Sequence, residues 1–323
     1  MLQRRSSIPE IREFSDKKTC WLILFSLLIQ VFLAGICIAE NKVPFEIIDN
    51  LIIVQAAVDG VPGNYILDTG SSLLVLNESE FQSHETLSPE KSFGIAGEPV
   101  QTKVRWVQLE WGEDKWKHVK ALVLPLHQLE AKCGVKISGL IGNKIFRRHL
   151  LEIDFSVKEI VLSRHRKGTA INLSRYKSNE QSVIPFRWEC QVPSIVLVIE
   201  NKLLSFGIDT GSEELILDLA HLPVLDKFIH IDRAVKITGI DGNHYIGHRS
   251  TASNLFIGNL VVAEPQLLIL PLKRFNRYGS CDLDGFIGSK LLQNFRVVFN
   301  FPEKTISFHK TIEEQLIVKA KDN

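Results

Sequence analysis

The chain repeats itself once, and this duplication constrains its fold more than any other feature of the sequence. Residues 43–165 can be laid over residues 184–310 with almost no adjustment. Because self-similarity on this scale indicates two copies of one structural unit, we expect two lobes of one architecture and not two unrelated domains.

Each copy has the same order of parts. An apolar strand ends in Asp-Thr-Gly-Ser, and then come a glycine-bearing hairpin, a strand ending at Leu-Pro-Leu and a strand ending in Gly-x-Ile-Gly. A short amphipathic helix should follow, over Asn143–Leu150 in the first copy and Ser289–Phe295 in the second. In the closing hairpin, the alignment places 153–162 over 298–307.

The composition favours a mainly β protein without a metal or other cofactor. Apolar runs are short and separated by Gly, Pro, Asn and Asp, and 45% of the residues are hydrophobic. The net charge of +1 gives no global field for binding nucleic acid. The sequence has no Cys-x-x-Cys pair and no His-x-x-x-His motif, so the common zinc signatures are missing.

The N-terminus is separate from the duplicated part. Residues 1–19 carry a basic excess, and 20–39 form a signal peptide or a transmembrane anchor, with no charge from Trp21 to Ala39. Both fates remain open. Either one places everything after residue 39 outside the cytoplasm, in the periplasm, at the membrane or in the extracellular space. The exported part then holds three cysteines, Cys133, Cys190 and Cys281, which allow at most one internal disulfide.

The repeated Asp-Thr-Gly-Ser motif is the candidate catalytic element. One such motif is an ordinary turn, but two at matching places bring one aspartate from each lobe, Asp68 and Asp209. Two neighbouring carboxylates share one proton, because both cannot ionise cheaply. The ionised member can then activate a water while the protonated member polarises a peptide carbonyl.

The residues after each aspartate should support this pair of carboxyl groups. The glycines allow a close approach of the backbone, the threonines can hydrogen-bond across the lobe boundary, and the serines can donate to the carboxylates. These supporting residues are Thr69, Gly70, Ser71, Thr210, Gly211 and Ser212.

Both halves resemble aspartic proteases, in Asp-Thr-Gly-Ser and in the later Leu140-Ile141-Gly142 and Phe286-Ile287-Gly288 elements. The resemblance covers about residues 43–310 and extends to bacterial secreted or membrane-bound members. It implies an all-β fold of two retropepsin-like β-barrel lobes related by a pseudo-two-fold axis, as in pepsin. The lobes should span 43–165 and 183–310, with a linker at 166–182 and a tail at 311–323.

The resemblance also implies a monomer that binds an extended peptide under a flap, whose candidate residues are Gly94, Ile95, Ala96 and Gly97. The chain departs from pepsin-like enzymes here, because this hairpin has no tyrosine. Tyr245 lies in the matching hairpin of the second lobe, where it can be an ordinary strand residue. Three tryptophans either line substrate subsites, or pack on strands or lie at a hairpin surface: Trp106, Trp111 and Trp116.

We therefore expect an aspartic endopeptidase that uses a water activated between Asp68 and Asp209. The alternative is a non-catalytic or highly specialised protease-like envelope protein that binds or processes one partner. No nucleic-acid partner is expected, and the membrane is a partner only if residues 20–39 are retained.

Overall fold

The computed structural model describes residues 41–81, 86–92, 100–164, 181–238 and 244–310. The chain divides into Met1–Ala39 and Glu40–Asn323, and every described residue belongs to the second unit. The predicted segments 1–19 and 20–39 and the tail 311–323 lie outside the described residues, as does most of the predicted linker. Within the described ranges, no helix is long and apolar enough to cross a membrane.

In the described part of the first lobe, the strands are accompanied by one α-helix and one 3₁₀ turn, at Asn143–Ile145. The elements are β1 (Asn41–Ile48), β2 (Leu51–Val58), β3 (Val61–Asp68), β4 (Leu74–Asn77), β5 (Thr86–Ser92), β6 (Val100–Trp111), β7 (Asp114–Leu124), α1 (His127–Cys133), β8 (Gly139–Gly142), β9 (His149–Asp154) and β10 (Glu159–Arg164).

The second lobe repeats this order with more short helices and a 3₁₀ turn at Leu219–His221. The elements are β11 (Gln181–Pro185), β12 (Arg187–Glu189), β13 (Val192–Ile199), β14 (Lys202–Ile208), β15 (Ile216–Asp218), α2 (Leu222–Leu225), β16 (Ile229–Thr238), β17 (His244–Ala252), β18 (Asn254–Ile257), β19 (Leu260–Ala263), β20 (Gln266–Leu270), α3 (Lys273–Gly279), β21 (Gly285–Ile287), α4 (Ser289–Leu292), β22 (Phe295–Asn300) and β23 (Thr305–Lys310).

The predicted all-β fold of barrel lobes is confirmed. In the first lobe the strands run β2–β3–β8–β4–β7–β6, and β6 pairs back with β2 to close the barrel. The second lobe follows the order β13–β14–β21–β15–β20–β17. Its counterpart of β6 is divided into β17 and β18, and β18 makes the pairing with β13.

The repeat extends to the burial of individual strands. In β2 and in β13, the first four side chains are all buried and the next is exposed. Ile52 and Val54 point into the barrel core, whereas Leu51 and Ile53 join a small apolar cluster that includes Leu126 beside α1. The start of β2 is therefore buried on both faces, which explains its unbroken apolar run.

A six-stranded sheet, β11–β23–β22–β9–β10–β1, joins the lobes. In each lobe the first strand pairs with the last strand of the same lobe. Across the boundary β9 pairs with β22, and Arg296 forms ion pairs there with Asp154 and Glu152. Backbone hydrogen bonds of this one sheet thus run from the first lobe into the second.

Two sequence predictions about these segments were wrong. The helices expected over 143–150 and 289–295 are only a 3₁₀ turn, Asn143–Ile145, and one turn of helix, Ser289–Leu292. In each copy the next strand begins within the expected helix, because its buried apolar residues alternate with a period of two. The closing hairpins match Asp154 with Asn300, one position away from the sequence alignment.

The structure also settles which cysteines pair. Cys190 and Cys281 form a disulfide with a Cα–Cα distance of 5.6 Å, and Cys133 is a buried free thiol. Cys190 lies in the two-residue turn between β12 and β13, and Cys281 follows α3. The bond therefore attaches this turn to the helical side of the second lobe.

Candidate active site

The two aspartates lie at corresponding strand ends. Asp68 is the last residue of β3 and is aligned with Gly142 of the parallel strand β8. Asp209 directly follows β14, and its amide donates to the Ile287 carbonyl of β21 at 3.0 Å. Each aspartate leaves the sheet where its parallel neighbour ends, so its side chain points out of the barrel towards the other lobe.

The carboxyl groups of Asp68 and Asp209 lie at the lobe boundary, where each packs against the glycine of the other lobe's motif. Both aspartates are buried, with 8% of the surface of Asp68 and 9% of that of Asp209 exposed. The Ser71 amide donates to Asp68 Oδ1 at 2.8 Å, and the Gly211 amide donates to Asp209 Oδ1 at 3.0 Å. Backbone donors thus orient both carboxyl groups.

Gly70 and Gly211 are required by this packing. A Cβ on Gly70 would lie 2.4 Å from Asp209 Cγ, and a Cβ on Gly211 would lie 2.5 Å from Asp68 Cγ. Real Cβ atoms do not approach carboxyl carbons so closely. Each lobe's glycine therefore packs against the carboxyl group of the other lobe.

Thr69 and Thr210 exchange hydrogen bonds across the lobe boundary, as the sequence predicted. The Thr69 amide donates to Thr210 Oγ1 at 3.0 Å, and the Thr210 amide donates to Thr69 Oγ1 at 3.1 Å. Each hydroxyl donates onward to a carbonyl of the other lobe, Thr69 to Ile208 and Thr210 to Leu67, at 2.8 and 2.7 Å. Both threonines are fully buried, so these four bonds form without competing water.

The prediction that the serine hydroxyls donate to the carboxylates needs correction. Ser71 donates to Asp68 through its backbone amide, and its hydroxyl donates instead to the Leu73 carbonyl at 3.0 Å. On the second lobe, the donor to Asp209 Oδ1 is the Gly211 amide, and the Ser212 carbonyl accepts from the Ser289 amide at 2.8 Å. A short turn aims amides at the aspartate more readily than a serine side chain can reach it.

Sequence reasoning missed one further polar residue of the site, Asn143, and its counterpart in the second lobe, Ser289, whose hydroxyl holds no peptide beside either aspartate. Both directly follow the Gly that ends β8 or β21, and both are fully buried. Asn143 Nδ2 lies 3.0 Å from the Thr69 carbonyl oxygen and 2.8 Å from that of Gln191. The sequence held one signal for them, because a polar residue directly follows Gly-x-Ile-Gly in both copies.

Burial is the main cause of a raised pKa for both carboxyl groups. The pKa of Asp68 is raised by desolvation, against the opposing effect of the donors around it. The pKa of Asp209 is raised by desolvation and then by the neighbouring charge of Asp68. The pair therefore holds a proton into a higher pH range than a free aspartate would, and it titrates as one unit. Such a pair can offer one base and one acid at the same time.

The remaining sequence candidates lie elsewhere or outside the described residues. The flap candidates Gly94, Ile95, Ala96 and Gly97 belong to 93–99, which the structure does not describe. Tyr245 is on β17, opposite Ile237 of β16, as an ordinary strand position.

Two of the three tryptophans have packing roles, and the third lies at the surface. Trp111 is fully buried and packs on Phe146, and Trp116 packs edge-on against His149, so both have packing roles. Trp106 is exposed on β6. In the described ranges, no group of three or more His, Cys, Asp or Glu side chains could hold a metal ion.

Comparison with known proteins gives a family match in the first lobe. A family model described as aspartyl protease matches residues 54–145, from β2 to the 3₁₀ turn after β8. The matched region contains Asp68 and its supporting loop. No curated protein matches the chain. Over this part of the first lobe the chain is therefore similar to aspartyl proteases, in agreement with its barrel fold.

Proposed function

We propose that the protein is an aspartic endopeptidase in which Asp68 and Asp209 together activate the attacking water. The observation that carries this proposal is that two buried carboxyl groups, one from each lobe, are each packed against the other lobe's glycine. The ionised carboxylate accepts a proton from a water held between the two, and the other carboxyl group donates a hydrogen bond to the scissile carbonyl. As the tetrahedral intermediate collapses, a proton passes to the leaving amine.

The substrate is an extended peptide lying across the lobe boundary. One chain supplies both carboxyl groups, so a monomer is sufficient for the reaction. The pair is formed by two lobes of the same topology, so each lobe can bind the substrate on one side of the scissile bond.

The test is peptide cleavage by the purified full-length chain, followed by mass spectrometry across a range of pH. We expect cuts at internal peptide bonds, an optimum on the acidic side of neutrality, and inhibition by a statine-containing peptide. Cleavage that a statine-containing peptide and Asp209→Asn both leave intact would contradict the proposal. Binding of that peptide without any cleavage of generic substrates would favour the alternative of a specialised or non-catalytic envelope protein.

We also propose that residues after 39 work outside the cytoplasm. The basic segment 1–19 and the uncharged run Trp21–Ala39 support this location. The Cys190–Cys281 disulfide supports it independently, because such bonds persist mainly in oxidising compartments. Added protease should digest the chain in spheroplasts whose cytoplasm is intact. Full protection, together with reduced Cys190 and Cys281, would place the protein in the cytoplasm.

A further inference from the structure

The side chain of Asn143 connects the catalytic loop of the first lobe to the second lobe. Its Nδ2 atom reaches the carbonyl oxygen of Thr69 at 3.0 Å and that of Gln191 at 2.8 Å. Both neighbours are acceptors, so the group that faces them must be the NH₂ and cannot be the amide oxygen. The two N–H bonds of one side chain are thus divided between the two lobes.

The carbonyl that Asn143 holds belongs to the same peptide group as the Gly70 amide. This peptide bond is trans, so its C=O and N–H point in opposite directions. The carbonyl faces Asn143, and the Gly70 end of the peptide packs against the Asp209 carboxyl group, where its N–H helps to lower the pKa of both aspartates. Rotation of the peptide plane would move both ends together.

We propose that Asn143 is a positioning residue for the catalytic pair. By holding the Thr69 carbonyl, it fixes the Thr69–Gly70 peptide so that the Gly70 N–H points at Asp68 and Asp209. Its second hydrogen bond, to the Gln191 carbonyl, fixes the Asn143 side chain to the opposite lobe. The inference rests on the proposed function for its catalytic meaning, but the geometry of the pair can be measured without catalysis.

The second lobe supplies a matched control. Ser289 occupies the place of Asn143, but its hydroxyl contacts the carbonyl oxygens of Asn50 and Ser212. A hydroxyl has one proton to donate, so it cannot hold two carbonyls at once. Neither of these acceptors belongs to the Thr210–Gly211 peptide. Ser289→Ala therefore removes a buried bond between the lobes without releasing the peptide beside either aspartate.

The experiment compares Asn143→Ala, Asn143→Ser and Ser289→Ala with the wild type in kcat, KM and their pH dependence. Gly70 donation favours the ionised carboxylates, so its loss should move both limbs of the pH profile of the Asn143 variants upwards. A hydrogen bond to a charged group contributes on the order of one pH unit. We expect that shift, about a tenfold lower kcat and a KM within about twofold. Ser289→Ala should lose stability without moving the profile.

A titration of the aspartate carboxyl carbons by NMR gives the same comparison without substrate. An upward shift in the Asn143 variants alone supports the inference, whereas equal shifts in Ser289→Ala, or none in any folded Asn143 variant, overturn it. If Asn143→Ala does not fold, Asn143→Ser, the residue that the second lobe uses at this place, carries the test. If the wild type cleaves no peptide but the carboxyl titration shifts as described, the proposed function fails and the positioning role stands.

Discussion

The two lobes share their backbone pairing but not their outer surfaces. One row of outward positions crosses four strands in the same register in each lobe. In the second lobe the row is apolar and largely exposed, with Leu203 at 74%, whereas in the first lobe it includes an ion pair between Lys115 and Glu110. The two rows are Leu203, Val198, Phe256 and Val261, and Pro62, Ala57, Glu110 and Lys115.

The difference shows which positions the fold depends on. Inward positions of both barrels are apolar and buried, and they are joined in one core cluster. Outward positions differ between the lobes, with a charged pair in one and only apolar residues in the other, at the same register. The apolar inner face therefore specifies the barrel, and the same pairing accepts either kind of outer face.

A similar division separates the inner and outer parts of the site. The contacts next to the carboxyl groups are repeated, with Thr69 matching Thr210 and Gly70 matching Gly211. The supports further out differ, because Asn143 matches Ser289 and only the second lobe ties its first hairpin turn with a disulfide. The two lobes thus match in the contacts nearest the two carboxyl groups and differ in the contacts further away.

The largest effect should come from breaking the symmetric pair itself. Asp68→Asn and Asp209→Asn should each abolish peptide cleavage, and the double variant should be hardly worse than either one, because the carboxyl groups act as a unit. General-base catalysis alone contributes about two to four powers of ten. Steady-state assays on folded variants test this, and more than about a tenth of normal turnover in Asp209→Asn would contradict the pairing.

The same variants should gain stability. Because the folded pKa of Asp209 is raised above its ordinary value of 3.8, the folded state binds more protons than the unfolded state just above that pH. Stability contributed by this group is thus present below about pH 3.8 and is lost as the pH rises through the folded pKa. Asp209→Asn should unfold at a higher temperature than the wild type at neutral pH, and this difference should vanish in acid. A difference independent of pH would exclude the carboxyl group as its cause.

The next effect should be equal in the two lobes. Thr69→Val leaves the Thr210 amide and the Ile208 carbonyl without their partner, at about 1–3 kcal/mol for each buried group. Thr210→Val should cost the same within about 1 kcal/mol, because its bonds mirror those of Thr69. Thr69→Ser and Thr210→Ser keep the hydroxyl and are the matched controls in denaturant unfolding. Unequal losses would show that the exchange is not symmetric in energy.

A smaller effect, confined to the second lobe, should follow loss of the disulfide. Replacing Cys190 and Cys281 together with Ser should lower the free energy of unfolding by about 2–4 kcal/mol. Reductant should destabilise the wild type by a similar amount and leave the double variant unchanged, as differential scanning calorimetry can measure. Reductant sensitivity in the double variant would point to another bond.

The smallest effect should come from transferring the first lobe's outer surface to the second. Val196, the counterpart of Gln55, and Val261, the counterpart of Lys115, are about half exposed. Val196→Gln and Val261→Lys should each change the free energy of unfolding by less than about 0.5 kcal/mol, as is usual for surface positions. Binding of an apolar fluorescent dye should fall. A loss above about 2 kcal/mol would mean that these outward side chains support the barrel.

The duplicated lobes and the pair of Asp68 and Asp209 could be predicted, because both follow from a local sequence pattern that occurs twice. An apolar run before Asp-Thr-Gly consists of consecutive residues, so it can be recognised without the structure. The seven-residue helices α1 and α3 after Leu-Pro-Leu were missed, because so short a segment carries no full helical period.

Other parts of the site could not be read from the sequence, because they depend on contacts between distant residues. The bond from Asn143 to Gln191 exists only once the lobes meet. Three cysteines offer three pairings, and only the fold places Cys190 beside Cys281. The final hairpin was misaligned by one position because its turn residues differ between copies, Ser156-Val157 against Pro302-Glu303.

The sheet that joins the lobes also sets the order in which the molecule is completed on the ribosome. The first barrel can close once residue 164 has been synthesised, since all its strands lie before that point. The second carboxyl group comes at Asp209, and the strand that binds the lobes together, Phe295–Asn300, comes later still. A nascent chain therefore holds half of a site through most of its synthesis. Under the proposed function, a single chain therefore gains its cleaving ability only late in its synthesis, once the second lobe is present.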